Sequence, residues 1–474
     1  MQNLSYRKLY FLYFFIISIT FSSLVFSDFA FLDDYDSLFY SLSNSGSTFQ
    51  WDIFSGRPIY AILRGFSQQF ISGIDSFSYI RLFTIITIFL YCIFLNIFFT
   101  KKNIFKNEIY NNVLPILLVL NPSIVVYASW ATCYPFVIAL ILAGSAYQII
   151  GLDIRLVYKL ILSLFVLSCS FAIYQPAALT FLYFVFIDNC LDEKRIAYRK
   201  IFTSFFILLS GMIVAYLMAK ILPLMIYGEV LSRAEMLTDI TGKLKWFISE
   251  ALINSINNFN ISPNIYYSIF SLLVIIIGMY QVFPRKQKWL KIFLSLILFV
   301  GTYASNLLVS ENWAAFRSMI GMELFVITFF SIGIFSCLSR MVETRSYYLL
   351  PLLFIIFVTQ YNIFYGFIRQ QQGEYQSMAQ EITSRVPKDF TGKVYFDITD
   401  PAFSIYTKTQ RYDEFGNISS ATSWAPAGMA LSIKHTKGYN FSVDKVTTPK
   451  EDIKCNNCII IKLSDSMRKS GMYY

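Results

Sequence analysis

The stretch "FLYFFIISITFSSLVFSDFAFLDDYDSLFY", Phe11 to Tyr40, decides how the rest of the chain reads. It runs from Phe11 to Ser27 without a charge, then crowds Asp33, Asp34 and Asp36 into four residues. The apolar block, Leu9 to Phe26, follows Arg7 and Lys8 and is long enough to cross roughly 30 Å of hydrocarbon as a helix. It is long for a signal-peptide core, no Ala-x-Ala-like site follows it, and similar blocks recur downstream, so it reads as an uncleaved span. The acidic cluster then sits where the chain first leaves the apolar phase.

Working outward, the 474 residues are 56% hydrophobic and only 14% charged, with 48 Phe and 33 Tyr. The apolar excess falls in blocks, which predicts a polytopic α-helical membrane protein with about eleven spans. These lie near 9–27, 78–100, 112–129, 134–151, 156–174, 176–190, 201–226, 264–283, 290–308, 317–338 and 347–366. The net charge of +10 admits a nucleic-acid partner or basic loops beside a membrane. The basic residues sit in short loops between apolar blocks, which favours the membrane and no nucleic acid. With the N-terminus inside, the inner segments carry 17 Lys/Arg and the outer loops 6. That asymmetry predicts a cytoplasmic N-terminus and, for an odd span count, an outer C-terminal tail.

The expected organisation is a membrane domain over 1–366, with its first outer loop at 28–77, and a small α/β domain over 367–474. In the tail, "GEYQSMAQEITSRV" reads as a helix and "KVYFDI" and "CIIIKL" as strands. It also holds the only histidine, His435, and a C-x-x-C at Cys455 and Cys458. A zinc site would need a second ligand pair. A local disulfide in an oxidising compartment is the simpler reading, and its role stays open.

The first loop continues with "GRP" at Gly56 to Pro58. Ile59, Ile62, Leu63, Phe66 and Phe70 then mark one apolar face of a helix that would lie in the membrane interface. Pro58 suits its first turn, and a helix start beside Arg57 suits phosphate. A carboxylate cluster and a phosphate seat therefore share one loop. Carboxylates there can be a plain solvated cap, or take a proton from an attacking sugar hydroxyl, or hold a divalent metal.

The pieces "FLDDYDSLFY", "SGRPIYAIL", "LNPSIVVYASWATCYPF" and "YQPAALTF", with the outer tail, resemble the GT-C class of membrane glycosyltransferases. Within it the chain looks most like the bacterial and phage Gtr-type enzymes that glucosylate O-antigen and convert serotype. The resemblance implies undecaprenyl phosphate-glucose as donor at the periplasmic face of the inner membrane. It implies a sugar hydroxyl of lipid-linked O-antigen, commonly rhamnose, as acceptor, and inversion at the anomeric carbon. Asp34 is then expected as the base and Asp33 as a positioning or metal-contacting group, with the reverse order open. A divalent metal, Mg or Mn, at Asp33 and Asp34 is neither required nor excluded by the class.

Asp36, Arg57, Arg81, Arg317, Arg233 and Glu235 complete the expected substrate and phosphate contacts. Arg317 and Arg81 lie near outer span ends, where snorkelling is the plain alternative. Arg233 and Glu235 belong to the outer loop 227–262, a lid or an interfacial segment. Glu323 is an intramembrane acid, suited equally to a structural pairing or to the site. Trp130, Tyr134 and Tyr174 at hairpin tips suit sugar stacking or the interfacial belt. Tyr412, Asp413, Glu414 and Trp424 in the tail are possible acceptor contacts. An O-acyltransferase would need a histidine among the spans. A lipid-linked sugar transporter would carry charged, broken helices at midplane. An O-antigen polymerase or ligase would lean on outer arginines in a late loop; it and the non-enzymatic transporter are the alternatives.

Overall fold

The computed structural model describes residues 5–102, 104–105, 108–191, 196–229, 236–262, 264–283, 287–341, 348–397, 414–445 and 457–469. Eight of its helices are long and apolar enough to cross a membrane, or nine if one bent pair counts as a single span. They are Tyr6–Val25, Ser76–Lys102, Ala131–Ile150, Leu156–Ile173, Tyr198–Tyr227, Ile265–Val282, Phe316–Met341 and Leu349–Arg385.

Phe316–Met341 is the central helix, enclosed on almost every side, whereas Tyr198–Tyr227 and Ile265–Val282 show most of their surface outward. That surface is apolar, as at Phe202, Ile213 and Leu273, and suits lipid rather than water. Ile265–Val282 meets the central helix backbone to backbone. A Cβ on Gly278 would lie 1.9 Å from the Phe329 carbonyl oxygen, and one on Gly333 2.1 Å from that of Val274. Only glycine permits this approach, the usual route to tight helix packing in lipid.

Three of the eleven expected spans are interrupted. Segment 112–129 forms Glu108–Val119 and Pro122–Ser129, bent by 49°. The break follows from "LNPS": Pro122 disfavours helix at Asn121, whose side chain instead accepts the Ile124 N–H at 2.8 Å and caps the second half. Segment 176–190 forms Gln175–Ala178 and Phe181–Cys190. Segment 290–308 forms Lys288–Gly301 and Ala304–Leu307.

The tail contains the expected elements. Gly373 to Arg385 are helical, within Arg369–Arg385, which continues the last span without a break. Strands Lys393–Asp397 and Cys458–Lys462 pair in parallel, Lys393 opposite Cys458 and Asp397 opposite Lys462. Cys458 is disulfide-bonded and Cys455 lies outside the described residues, while Cys92, Cys133, Cys169, Cys190 and Cys337 form no disulfide.

The tail does not stand apart from the membrane part. Tyr35, Leu38, Ile71 and Phe77 of the first loop and the adjoining helix start share one core with Met378, Ile382, Phe396 and Met429 of the tail. Helix Ala425–Lys437 lies on helix Asp33–Ser43 so closely that a Cβ on Gly428 would sit 2.1 Å from the Tyr35 carbonyl oxygen. Ser419 Oγ accepts the Leu32 N–H at 3.0 Å, and Lys445 pairs with Asp36 at 3.3 Å. Loop and tail must therefore be on the same side of the bilayer. Seven of the eight uninterrupted helices lie between them, and seven crossings would separate them. If all eight cross, an odd number of the interrupted segments crosses as well.

Gly428→Ala tests this docking. The added methyl meets backbone, which cannot rotate away, so the substitution is expected to cost about 1–3 kcal/mol and lower the thermal midpoint. The tail should also become sensitive to trypsin at protease levels that leave the wild type intact. An unchanged midpoint and digestion pattern would refute the contact.

Candidate functional site

The site is built where the chain leaves its first helix. Leu32 has φ +44, a strained turn for a branched residue, and helix Asp33–Ser43 starts immediately after it. All three aspartates fall in that first turn, where the helix dipole favours negative charge. Their environments nonetheless diverge.

Asp34 is fully enclosed. Its Oδ1 accepts the Thr132 N–H at 2.9 Å, and Oδ2 accepts those of Phe31 at 3.1 Å and Ala131 at 3.3 Å. Arg81 Nη2 lies 3.5 Å from the same Oδ2. Burial pushes the Asp34 carboxyl above its ordinary value, while Arg81 and the three backbone N–H groups pull it back. Arg81 in turn donates to the carbonyls of Phe29 at 2.8 Å and Ser129 at 3.1 Å. The pair thus ties the first loop, helix Ser76–Lys102 and the tip 129–132 together. Both Asp34 oxygens are taken up by backbone N–H groups and Arg81, and Arg81 Nε and Nη2 by two carbonyls and Asp34, so the expected roles of Asp34 as base and of Arg81 as phosphate contact do not fit. Both are clamps.

Asp36 is also engaged in structure. It faces Arg64 at 3.8 Å and Lys445 at 3.3 Å. Arg64 is buried, a role that sequence reading missed by leaving it off the apolar face. It pairs with Asp52 at 3.4 Å and donates to Ser37 Oγ at 3.1 Å and to the Asp33 carbonyl at 3.0 Å. Burial raises the Asp52 carboxyl, and Arg64 and Arg57 oppose it. Tyr60, Ala61 and Arg64 form the inward face of helix Pro58–Gln68, while Ile62 and Phe66, with Phe70 just beyond, point away from the protein. The signal was present: the apolar stripe of an interfacial helix belongs to lipid, so its polar flank must meet the protein.

Asp33, like Asp36, is half-buried. Its charge lies within electrostatic range of Tyr60 and Arg64. Tyr60 packs on Phe136, with centroids 5.4 Å apart, and Phe136 stacks on Tyr174 at 3.9 Å and 4°. Over this aromatic floor come two cations from distant segments. The Arg57 guanidinium lies 5.0 Å from the Tyr174 ring and Nε reaches Gln175 Oε1 at 3.4 Å. Arg317 lies 4.9 Å from the Trp130 ring and 3.7 Å from Glu414. Tyr174 is in electrostatic range of both arginines. Trp130 and Tyr174 are buried here and not part of an exposed belt.

Glu414 accepts the N–H groups of Phe316 at 2.7 Å and Arg317 at 2.8 Å, capping the central helix from the tail. This buried role replaces the expected glycan contact. Glu323, inside that helix, accepts both the N–H and the hydroxyl of Ser123 at the break in 112–129, at 3.1 and 2.8 Å. Arg233, Glu235, Tyr412 and Asp413 lie outside the described residues.

The arrangement therefore leaves Asp33 in electrostatic range of Tyr60 at one end of the aromatic run, sets Arg57 and Arg317 in range of Tyr174 at the other, and withdraws Asp34, Asp36 and Arg81 into supporting pairs. A divalent ion between Asp33 and Asp34 does not fit, because the Asp34 oxygens are already occupied by N–H donors and a guanidinium. Among the described residues no three His, Cys, Asp or Glu side chains gather as a metal site. No known family model, curated protein or solved structure matches the chain.

Proposed function

We propose that the chain transfers glucose from undecaprenyl phosphate-glucose to a sugar hydroxyl of lipid-linked O-antigen, with inversion, at the periplasmic face of a bacterial inner membrane. In this reading the N-terminus is cytoplasmic, loop and tail are periplasmic, and all three interrupted segments cross, making eleven spans. Asp33 replaces Asp34 as the base. The acceptor oxygen attacks C1 of the glucosyl group. The bond from C1 to the phosphate oxygen breaks, its electron pair leaves with undecaprenyl phosphate, and the hydroxyl proton passes to the Asp33 carboxylate. Arg57 and Arg317 hold the phosphate and offset the charge that it gains.

The observation that carries this reading is an aromatic run, Tyr60, Phe136 and Tyr174, with the half-buried Asp33 in electrostatic range of Tyr60, and Arg57 and Arg317 in range of Tyr174. They stand beside a helix, Pro58–Gln68, that turns Ile62 and Phe66 outward while Ile59 and Leu63 pack on the core. A lipid-borne sugar phosphate presents that same combination of an acyl tail, an anion and a polar ring face.

The test is expression in a strain that makes undecaprenyl phosphate-glucose, with O-antigen examined by mass. One added hexose per modified unit is expected. O-antigen of unchanged mass, in cells holding folded protein and both lipids for a panel of acceptor repeats, would defeat the proposal.

A further inference from the structure

The tip between the bent pair and the next span, Ser129 to Thr132, has its backbone fastened inward. Arg81 holds the Ser129 carbonyl, and Asp34 holds the N–H groups of Ala131 and Thr132. The side chains are treated differently. Trp130 is 4% exposed and Thr132 3%, yet Trp130 Nε1 and Thr132 Oγ1 have no hydrogen-bond partner among the described residues. Ser129 Oγ shares this condition. Unbonded buried polar groups are costly and uncommon, and a bound water, ion or ligand is what satisfies them. Here they cluster on one tip. The Arg317 guanidinium lies over the Trp130 ring, and Phe31, two residues before Asp33, packs edge-on against it at 5.2 Å.

Resting on the function proposed above, we infer that this tip is the subsite for the glycosyl phosphate headgroup. The indole N–H, a donor only, and the threonine hydroxyl, donor and acceptor, meet its phosphate or sugar oxygens beside Arg317. The Asp34–Arg81 pair is then what holds the tip in register with Asp33.

Thr132→Val and Trp130→Phe remove one polar atom each and keep most of the packing. The full chain in lipid nanodiscs is titrated with undecaprenyl phosphate-glucose and, separately, undecaprenyl phosphate, and its thermal midpoint is measured without ligand. Each variant is expected to bind the glucosyl lipid about tenfold more weakly, the worth of one hydrogen bond. Thr132→Val should keep or raise the midpoint, since it removes an unbonded hydroxyl. Weakening with both lipids assigns the contact to phosphate, and weakening with the glucosyl lipid alone assigns it to sugar; either supports the subsite. Wild-type binding with both variants within twofold of it would overturn the subsite and leave the proposed function standing. A lower midpoint for Thr132→Val would also overturn it, because the hydroxyl would then be bonded within the fold. A wild type that binds neither lipid would remove both.

Discussion

Asp34→Ala is expected to unfold the loop end of the molecule before it affects chemistry. The substitution strands the Arg81 guanidinium at a fully buried position and takes the acceptor from three backbone N–H groups. Breaking one side of a buried pair costs about 3–5 kcal/mol, a large share of a typical folding free energy. The thermal midpoint in detergent should fall steeply, with poor recovery of monodisperse protein. Arg81→Met should mirror it by leaving the Asp34 carboxylate alone. The double variant Asp34→Leu/Arg81→Met should cost less than the two single losses added together, because neither residue then strands the other. A normal midpoint in Asp34→Ala would mean that the carboxylate is not the clamp described here.

Asp33→Asn is expected to do the opposite. The side chain keeps its size on a half-buried position and loses a charge that favours the helix start and lies in electrostatic range of Arg64, so stability should drop by about 1 kcal/mol, well short of the loss in Asp34→Ala. Glucosyl transfer should fall by about 10²–10⁴-fold, the usual loss when a positioned base is removed. The donor should still bind, because Arg57 and Arg317 remain. The measurement is turnover of undecaprenyl phosphate-glucose by the purified variant beside its midpoint. Full turnover would exclude Asp33 as the base. Two neighbouring aspartates would thus separate stability from activity, a contrast that a merely solvated acidic cap would not produce.

The same pair shows where sequence reading stopped. Asp33, Asp34 and Asp36 are chemically alike and adjacent, and nothing local ranks them. What distinguishes Asp34 is a guanidinium 47 positions along the chain and two N–H groups nearly a hundred positions along. Arg64 likewise reads as a polar residue on an interfacial helix until its partners Asp52, Ser37 and the Asp33 carbonyl are in place. Glu414 reads as an exposed tail acid until it caps a helix that starts 98 residues earlier.

By itself the sequence determined the membrane class, the positions of eight of the eleven expected spans and the tail's helix and two strands, whereas the kink at "LNPS" went unread although its cause is local. Each depends on interactions within one short segment: apolar length against bilayer thickness, proline against its preceding residue, alternation along a strand. Tertiary structure alone decided which carboxylate is buried, which arginines share the aromatic floor, and that the tail and first loop form one body. Those outcomes depend on desolvation and on partners far away in the chain. A charged group's role is set by the dielectric and the donors around it, and neither exists until the fold has closed.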